Sequence, residues 1–137
     1  MGMRVLLVDD SAEMRRMVRK LLERSGGYEI VGEAADGREG CDLALSIRPD
    51  LVIMDVSMPG MNGREALRCI AAQRPDLPVV MLSCHEEPAY VSDVKADGAR
   101  GYVVKDHAVE NLVNVLRAVA SGEKFTSPGF EITSDPV

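Results

Sequence analysis

The 137-residue chain sets 16 lysines and arginines against 22 aspartates and glutamates, a formal net charge of −6, and only 4% of its residues are aromatic. That balance repels nucleic acid and offers no base-stacking platform, which argues against direct DNA or RNA binding by this chain. An apolar share of 46% with 28% charged residues suits one globular domain with a sizeable core, and no apolar run approaches transmembrane length.

Short apolar runs alternate with helical patterns along the chain. The first strand is expected at RVLLV, residues 4–8, and it stops at two adjacent carboxylates, Asp9 and Asp10, which also interrupt any signal-peptide pattern. Met14, Met17, Val18, Leu21 and Leu22 then recur at helical spacing until Gly26-Gly27. The same helix carries Arg15, Arg16, Arg19 and Lys20, a basic face suited to solvation or to partner recognition. YEIVGEA, residues 28–34, reads as the second strand, and Cys41, Ala44, Leu45 and Ile47 mark a second helix before Pro49. LVIMD, residues 51–55, is the third strand. Asn62 can cap a third helix carrying Leu67, Ile70 and Ala71 and closing near Pro75. PVVMLS, residues 78–83, is the fourth strand, and residues 88–98 form the weakest helix, anchored by Tyr90, Val91 and Val94. GYVVK, residues 101–105, is the fifth strand. Val109, Leu112, Val113, Leu116 and Val119 define the last helix, ending at Ser121-Gly122. Residues 125–137 show turn residues and no period, and read as a tail or linker.

The strands are continuous apolar runs rather than alternating ones, the pattern of strands covered on both faces. Five strands in strict alternation with five helices predict a parallel sheet with helices on both sides and right-handed crossovers. Cys41, Cys69 and Cys84 are odd in number and lack metal-ligand spacing, so they read as small buried thiols in a reducing cytosol rather than a zinc site.

Ligands of open parallel sheets bind at the carboxyl ends of the strands. There the first strand delivers Asp9 and Asp10, the third Asp55, the fourth Ser83 and the fifth Lys105. Three carboxylates at one edge repel each other unless a cation sits among them, and a hard divalent ion such as Mg²⁺ matches oxygen ligands. An ammonium and a hydroxyl beside that ion are what a phosphoryl group requires. A carboxylate can itself be the nucleophile, forming an aspartyl phosphate, and Asp55 is central to the edge.

The motifs LLVDDS, LVIMDVSMPGMNG, VVMLSCH and GYVVKD, in this order, resemble the receiver domain of two-component response regulators over residues 4 to about 124. The resemblance implies a flavodoxin-like (CheY-like) three-layer α/β sandwich with strand order 2-1-3-4-5, and Asp55 as phosphoacceptor. It implies Mg²⁺ held directly by Asp10 and mostly through water by Asp9, with the Ser57 backbone carbonyl as a further ligand. Ser83 and Lys105 would contact the phosphoryl oxygens, and Tyr102 matches the family's aromatic switch. VMLSCHEE, GARGYVVKD and LRAVASGEKFTSP are similar to receivers of the LuxR-type (NarL/FixJ-like) subfamily. That similarity implies a receiver at residues 1–124, with 125–137 as a tail or the start of a linker to a helix-turn-helix domain outside this chain; a stand-alone receiver is the other reading.

The expected role is a cytoplasmic signalling phosphoacceptor rather than a metabolic enzyme. A sensor histidine kinase would supply the phosphoryl group, activation would favour a homodimer, and DNA would be contacted only through a further domain, with no membrane partner. Against each residue stands a plainer reading. Asp9 and Asp10 could be helix caps, Asp55 a turn residue, Ser83 a strand-end hydroxyl on backbone, Lys105 a solvated lysine and Tyr102 a half-buried strand residue. His85 could orient water or simply face solvent. The rival classes are a Mg²⁺-dependent phosphohydrolase, a non-switching pseudo-receiver and a flavodoxin. The adjacent rather than alternate carboxylates at residues 9–10, the complete polar set, and the absence of a hydroxyl-rich loop in DDSAEM count against them in turn.

Overall fold

Successive residues of the first strand serve opposite halves of the core. Leu6 and Val8 pack into one hydrophobic cluster, Val5 and Leu7 into the other, and all four are fully buried. This is the two-sided burial that the unbroken apolar runs require. The structure, a computed structural model, describes residues 2–123 together with residues 125 and 127.

The described residues form β1 (Met3–Val8), α1 (Ala12–Ser25), β2 (Tyr28–Ala34), α2 (Gly37–Ser46), β3 (Leu51–Asp55), α3 (Gly63–Gln73), β4 (Val79–Ser83), α4 (Pro88–Ala96), β5 (Gly101–Val104) and α5 (Ala108–Ala120). The strands pair in parallel, as the pattern predicts, and in the order β2-β1-β3-β4-β5 that the resemblance implies. One face of the sheet carries α1 and α5 through Val18, Leu22, Leu112, Val115, Leu116 and Val119. The other carries α2, α3 and α4 through Ala44, Leu67, Ile70, Val91 and Val94.

Helix starts follow local chemistry. The Ser11 hydroxyl accepts from the Met14 amide at α1, Asp36 caps α2, and Asn62 with Glu65 forms a reciprocal capping box at α3. The α4 start has no side-chain cap and relies on Pro88 in its first turn, consistent with its weak sequence pattern.

Three expectations need correction. Val109 is 61% exposed, because the buried stripe of α5 runs through Ala108, Leu112, Val115 and Val119, one residue away from it. Lys105 lies beyond β5 and opens a 3₁₀ turn over Lys105–His107. Cys84 is exposed rather than buried, since β4 ends at Ser83 and the next residue enters a loop; Cys69 is partly exposed, and only Cys41 is buried. The linker expectation for residues 125–137 falls outside the described residues, apart from 125 and 127. Phe125 packs against the α4 side of the core, with Lys95 Nζ 5.6 Å from its ring centre.

Candidate functional site

Register aligns the carboxyl ends of the central strands. Val8 pairs with Met54 and Asp55 with Leu82, so Asp9, Asp55 and Ser83 emerge at one edge. Oxygens of Asp9, Asp10 and Asp55 lie within 4.8 Å of one another. Asp9 and Asp55 are essentially fully buried, whereas Asp10 faces solvent.

Backbone and side-chain donors hold this acidic cup. Asp9 Oδ1 accepts from the Ser11 amide at 2.8 Å, and Asp55 Oδ1 accepts from the Ser57 amide at 3.2 Å. Lys105 Nζ lies 3.0 Å from Asp55 Oδ1 and 3.5 Å from Asp9 Oδ2. Beyond that ammonium, Asp9 Oδ2 has no hydrogen-bond partner although it is buried. A buried carboxylate oxygen left in that state is costly, and a hard cation among three carboxylates would satisfy it. The donor set therefore fits a divalent metal ion.

Electrostatics follow the same geometry. Burial drives the Asp55 carboxyl up from 3.8 to about 6; Lys105 pulls it back and the Asp9 charge pushes it further up. Burial works against the charge on Lys105, yet Asp55 and then Asp9 outweigh it and hold the ammonium above its ordinary range. At neutral pH the pair is thus an ionised carboxylate beside an ammonium.

Ser83 and Tyr102 join one loop. The Ser83 hydroxyl accepts from the His85 amide at 3.0 Å, the backbone bond expected of a strand-end serine. The Tyr102 ring is fully buried, and its hydroxyl donates to the His85 carbonyl at 2.8 Å. Burial pushes the phenol up to about 12. The His85 ring stacks on Tyr90 at 4.2 Å between centres.

Several residues at the site carried no signal of their role in the sequence. An open cavity of about 440 Å³ adjoins the cup, walled by Asp10, Ser57, Met58, Asn62, Arg64 and Tyr90. Arg64 stands over the Tyr90 ring at 5.5 Å and reaches Asp97 at 2.6 Å, tying α3 to α4. Gly63 lies so close under the β3–α3 loop that a Cβ there would stand 2.0 Å from the Asp55 carbonyl oxygen. The sequence marks Asn62 as a helix cap, but nothing in it marks the close approach at Gly63. On α1, Glu33 holds both Arg15 and Arg19, while Arg16 and Lys20 face solvent.

A 2-1-3-4-5 parallel sheet with clustered carboxylates and a lysine at its carboxyl edge defines an α/β signalling receiver. Residues 5–117 match the response regulator receiver domain family, and the chain belongs to it. It is 36% identical over 125 residues to the response regulator GacA of Pseudomonas aeruginosa, across 91% of this chain and 58% of that protein. It is 32% identical over 124 residues to the transcriptional regulatory protein DegU of Brevibacillus brevis, across 90% of this chain and 52% of that one. The chain thus spans about half the length of these curated relatives. Among solved structures, a LuxR-family two-component response regulator from Aurantimonas sp. superposes with a TM-score of 0.87 at 35% identity, covering 93% of this chain and 91% of that one. No helix among the described residues is long and apolar enough to cross a membrane.

Proposed function

We propose that this receiver takes a phosphoryl group from the phosphohistidine of a sensor kinase onto Asp55. The observation that carries the reading is the acidic cup itself: three carboxylates within 4.8 Å, two of them buried, with Lys105 Nζ 3.0 Å from Asp55. An Asp55 oxygen attacks phosphorus, the P–N bond breaks with its electron pair left on the imidazole, and the departing nitrogen takes a proton from solvent. Asp9, Asp10, Asp55 and the Ser57 carbonyl would hold Mg²⁺, with Asp9 acting mostly through water. Bound Mg²⁺ supplies charge neutralisation for the carboxylates and the phosphoryl oxygens. Lys105 orients the acceptor and then pairs with a phosphoryl oxygen, and the Ser83 hydroxyl gives up its bond to the His85 amide to reach another.

That exchange at Ser83 is the switch. It frees the loop after β4, which Tyr102 holds through the His85 carbonyl, and α4 is fastened to the same loop through His85 and Tyr90. The face of α4, β5 and α5 then pairs with a second receiver or releases an effector. Residues 1–124 act as the receiver unit, and 125–137 begin the path to a LuxR-type helix-turn-helix through which transcription is controlled. Such a protein works in the cytoplasm; its own phosphorylation and slow dephosphorylation are the limit of its catalysis. Kinship with a transcriptional regulatory protein and with a LuxR-family regulator supports this output.

Intact mass after incubation with acetyl phosphate and Mg²⁺ tests the reading. One phosphoryl adduct, absent from Asp55→Ala and absent without Mg²⁺, is expected. No adduct under conditions that label another receiver would overturn self-phosphorylation from small donors.

A further inference from the structure

The β1–α1 turn is tethered from outside by a charge cluster that takes no part in the chemistry above. Arg15, on the first turns of α1, donates through a terminal nitrogen to the backbone carbonyl of Asp9. Its Nε donates to Glu33 Oε1 at 3.0 Å, near the end of β2. The second oxygen of Glu33 is taken by Arg19, one helical turn further along α1. A planar guanidinium holds its N–H donors in fixed geometry, and Arg15 uses two of its nitrogens to join Glu33 to the Asp9 carbonyl as a rigid brace.

The position of that carbonyl gives the brace its meaning. It belongs to the peptide unit that leads directly into Asp10. The preceding peptide is already fixed, since the Asp9 amide donates to the Ala34 carbonyl at 3.0 Å as a continuation of the β1–β2 pairing. The Asp9 side chain is held by the Ser11 amide. Asp10 is exposed, and among the described residues no hydrogen bond or ion pair to its carboxylate is seen. Arg15 thus holds the peptide that leads into Asp10, the acid of the cup whose carboxylate has no partner among the described residues.

We propose that Arg15 is a positioning residue for the Asp9-Asp10 pair, set by Glu33 and Arg19, and that it raises the affinity of the cup for Mg²⁺. The inference rests on the reading of the cup as a metal site. Its sign separates it from simple electrostatics. A guanidinium this close to the acids repels a dication, so removing its charge alone would tighten binding. Removing the brace weakens binding, because a ligand left to move must be ordered when the ion arrives.

Calorimetric titration with Mg²⁺ decides between them, with folding of each variant checked by circular dichroism. For Arg15→Gln the dissociation constant should rise about tenfold, the usual scale for loss of an outer-shell partner. Arg15→Lys should also weaken binding, because an ammonium keeps the charge but cannot span Glu33 and the carbonyl in one plane. Arg16→Gln removes an exposed charge from the same helix without touching the brace, and should leave the constant unchanged or slightly lower. Arg15→Gln binding as tightly as the parent, or Arg15→Lys fully retaining affinity, would overturn the inference while the metal site stands. A parent protein that binds no Mg²⁺ would overturn both.

Discussion

Lys105 Nζ stands 3.0 Å from Asp55 Oδ1, and the same ammonium is 3.5 Å from Asp9 Oδ2, so one cation separates two buried carboxylates. Without it, burial and the Asp9 charge would act on Asp55 against the Ser57 amide alone. Lys105→Met should therefore move the Asp55 carboxyl above its present value of about 6, as followed by carbon-13 titration of labelled aspartate. The rate of labelling by acetyl phosphate at pH 7 should fall by roughly 100–1,000-fold, the scale for losing one preorganised donor at a reacting centre. An unchanged titration curve would mean that Lys105 does not govern the acceptor.

Ionising Asp55 works against folding. Its folded value near 6 lies above the 3.8 of an ordinary aspartate, so the native state holds this proton more tightly than the unfolded chain does. The native state therefore gains stability from this group as pH falls. The cost of ionisation is absent below pH of about 4, grows between about 4 and 6, and is complete above. Asp55→Asn is neutral throughout and escapes it. In chelator-treated protein at pH 7.5 the variant should be more stable than the parent by on the order of 1–3 kcal/mol, less whatever Lys105 loses with its partner. The gap should shrink steadily toward pH 4.5. Urea titrations at both pH values measure it, and a gap that does not depend on pH would contradict the account.

The sheet could be read in the sequence because its strands are buried on both faces, which gives unbroken apolar runs such as LVIMD and VVML between helical repeats. The edge chemistry was legible for the same reason, since parallel topology sends every strand end to one side and so gathers Asp9, Asp55 and Ser83. What could not be read are contacts between elements. Nothing local marks Glu33 as the partner of Arg15 and Arg19, or Asp97 as the partner of Arg64 across a separation of 33 residues. The exposure of Val109 escaped because α5 offers two apolar stripes, and packing rather than periodicity chooses between them.

Gly63 shows how a residue without chemistry can set the site. A Cβ there would meet the Asp55 carbonyl oxygen at 2.0 Å and Val56 Cα at 2.8 Å, both backbone atoms. The Gly63 amide also donates to the Val56 carbonyl at 2.8 Å, closing the β3–α3 loop. Gly63→Ala must push this loop away from the helix. A loss of roughly 1–3 kcal/mol is expected, the range for overpacking. Weaker Mg²⁺ binding should accompany it, because the loop carries Ser57 and starts directly after Asp55. A urea midpoint equal to that of the parent would show that the loop yields freely.

The Tyr102 hydroxyl tests the link between β5 and the loop after β4. It donates to the His85 carbonyl at 2.8 Å from a fully buried ring, and His85 in turn stacks on Tyr90 of α4. Tyr102→Phe keeps the ring and its packing while removing the donor, at a cost of about 1 kcal/mol. That loss should fall on the loop rather than on the core, because the ring still fills its space. Amide exchange across residues 84–90 should quicken severalfold while exchange in β1 and β3 keeps its parent rate. Uniform acceleration throughout the sheet would instead make the hydroxyl a general stabiliser, and protection unchanged at residues 84–90 would remove Tyr102 from the control of this loop.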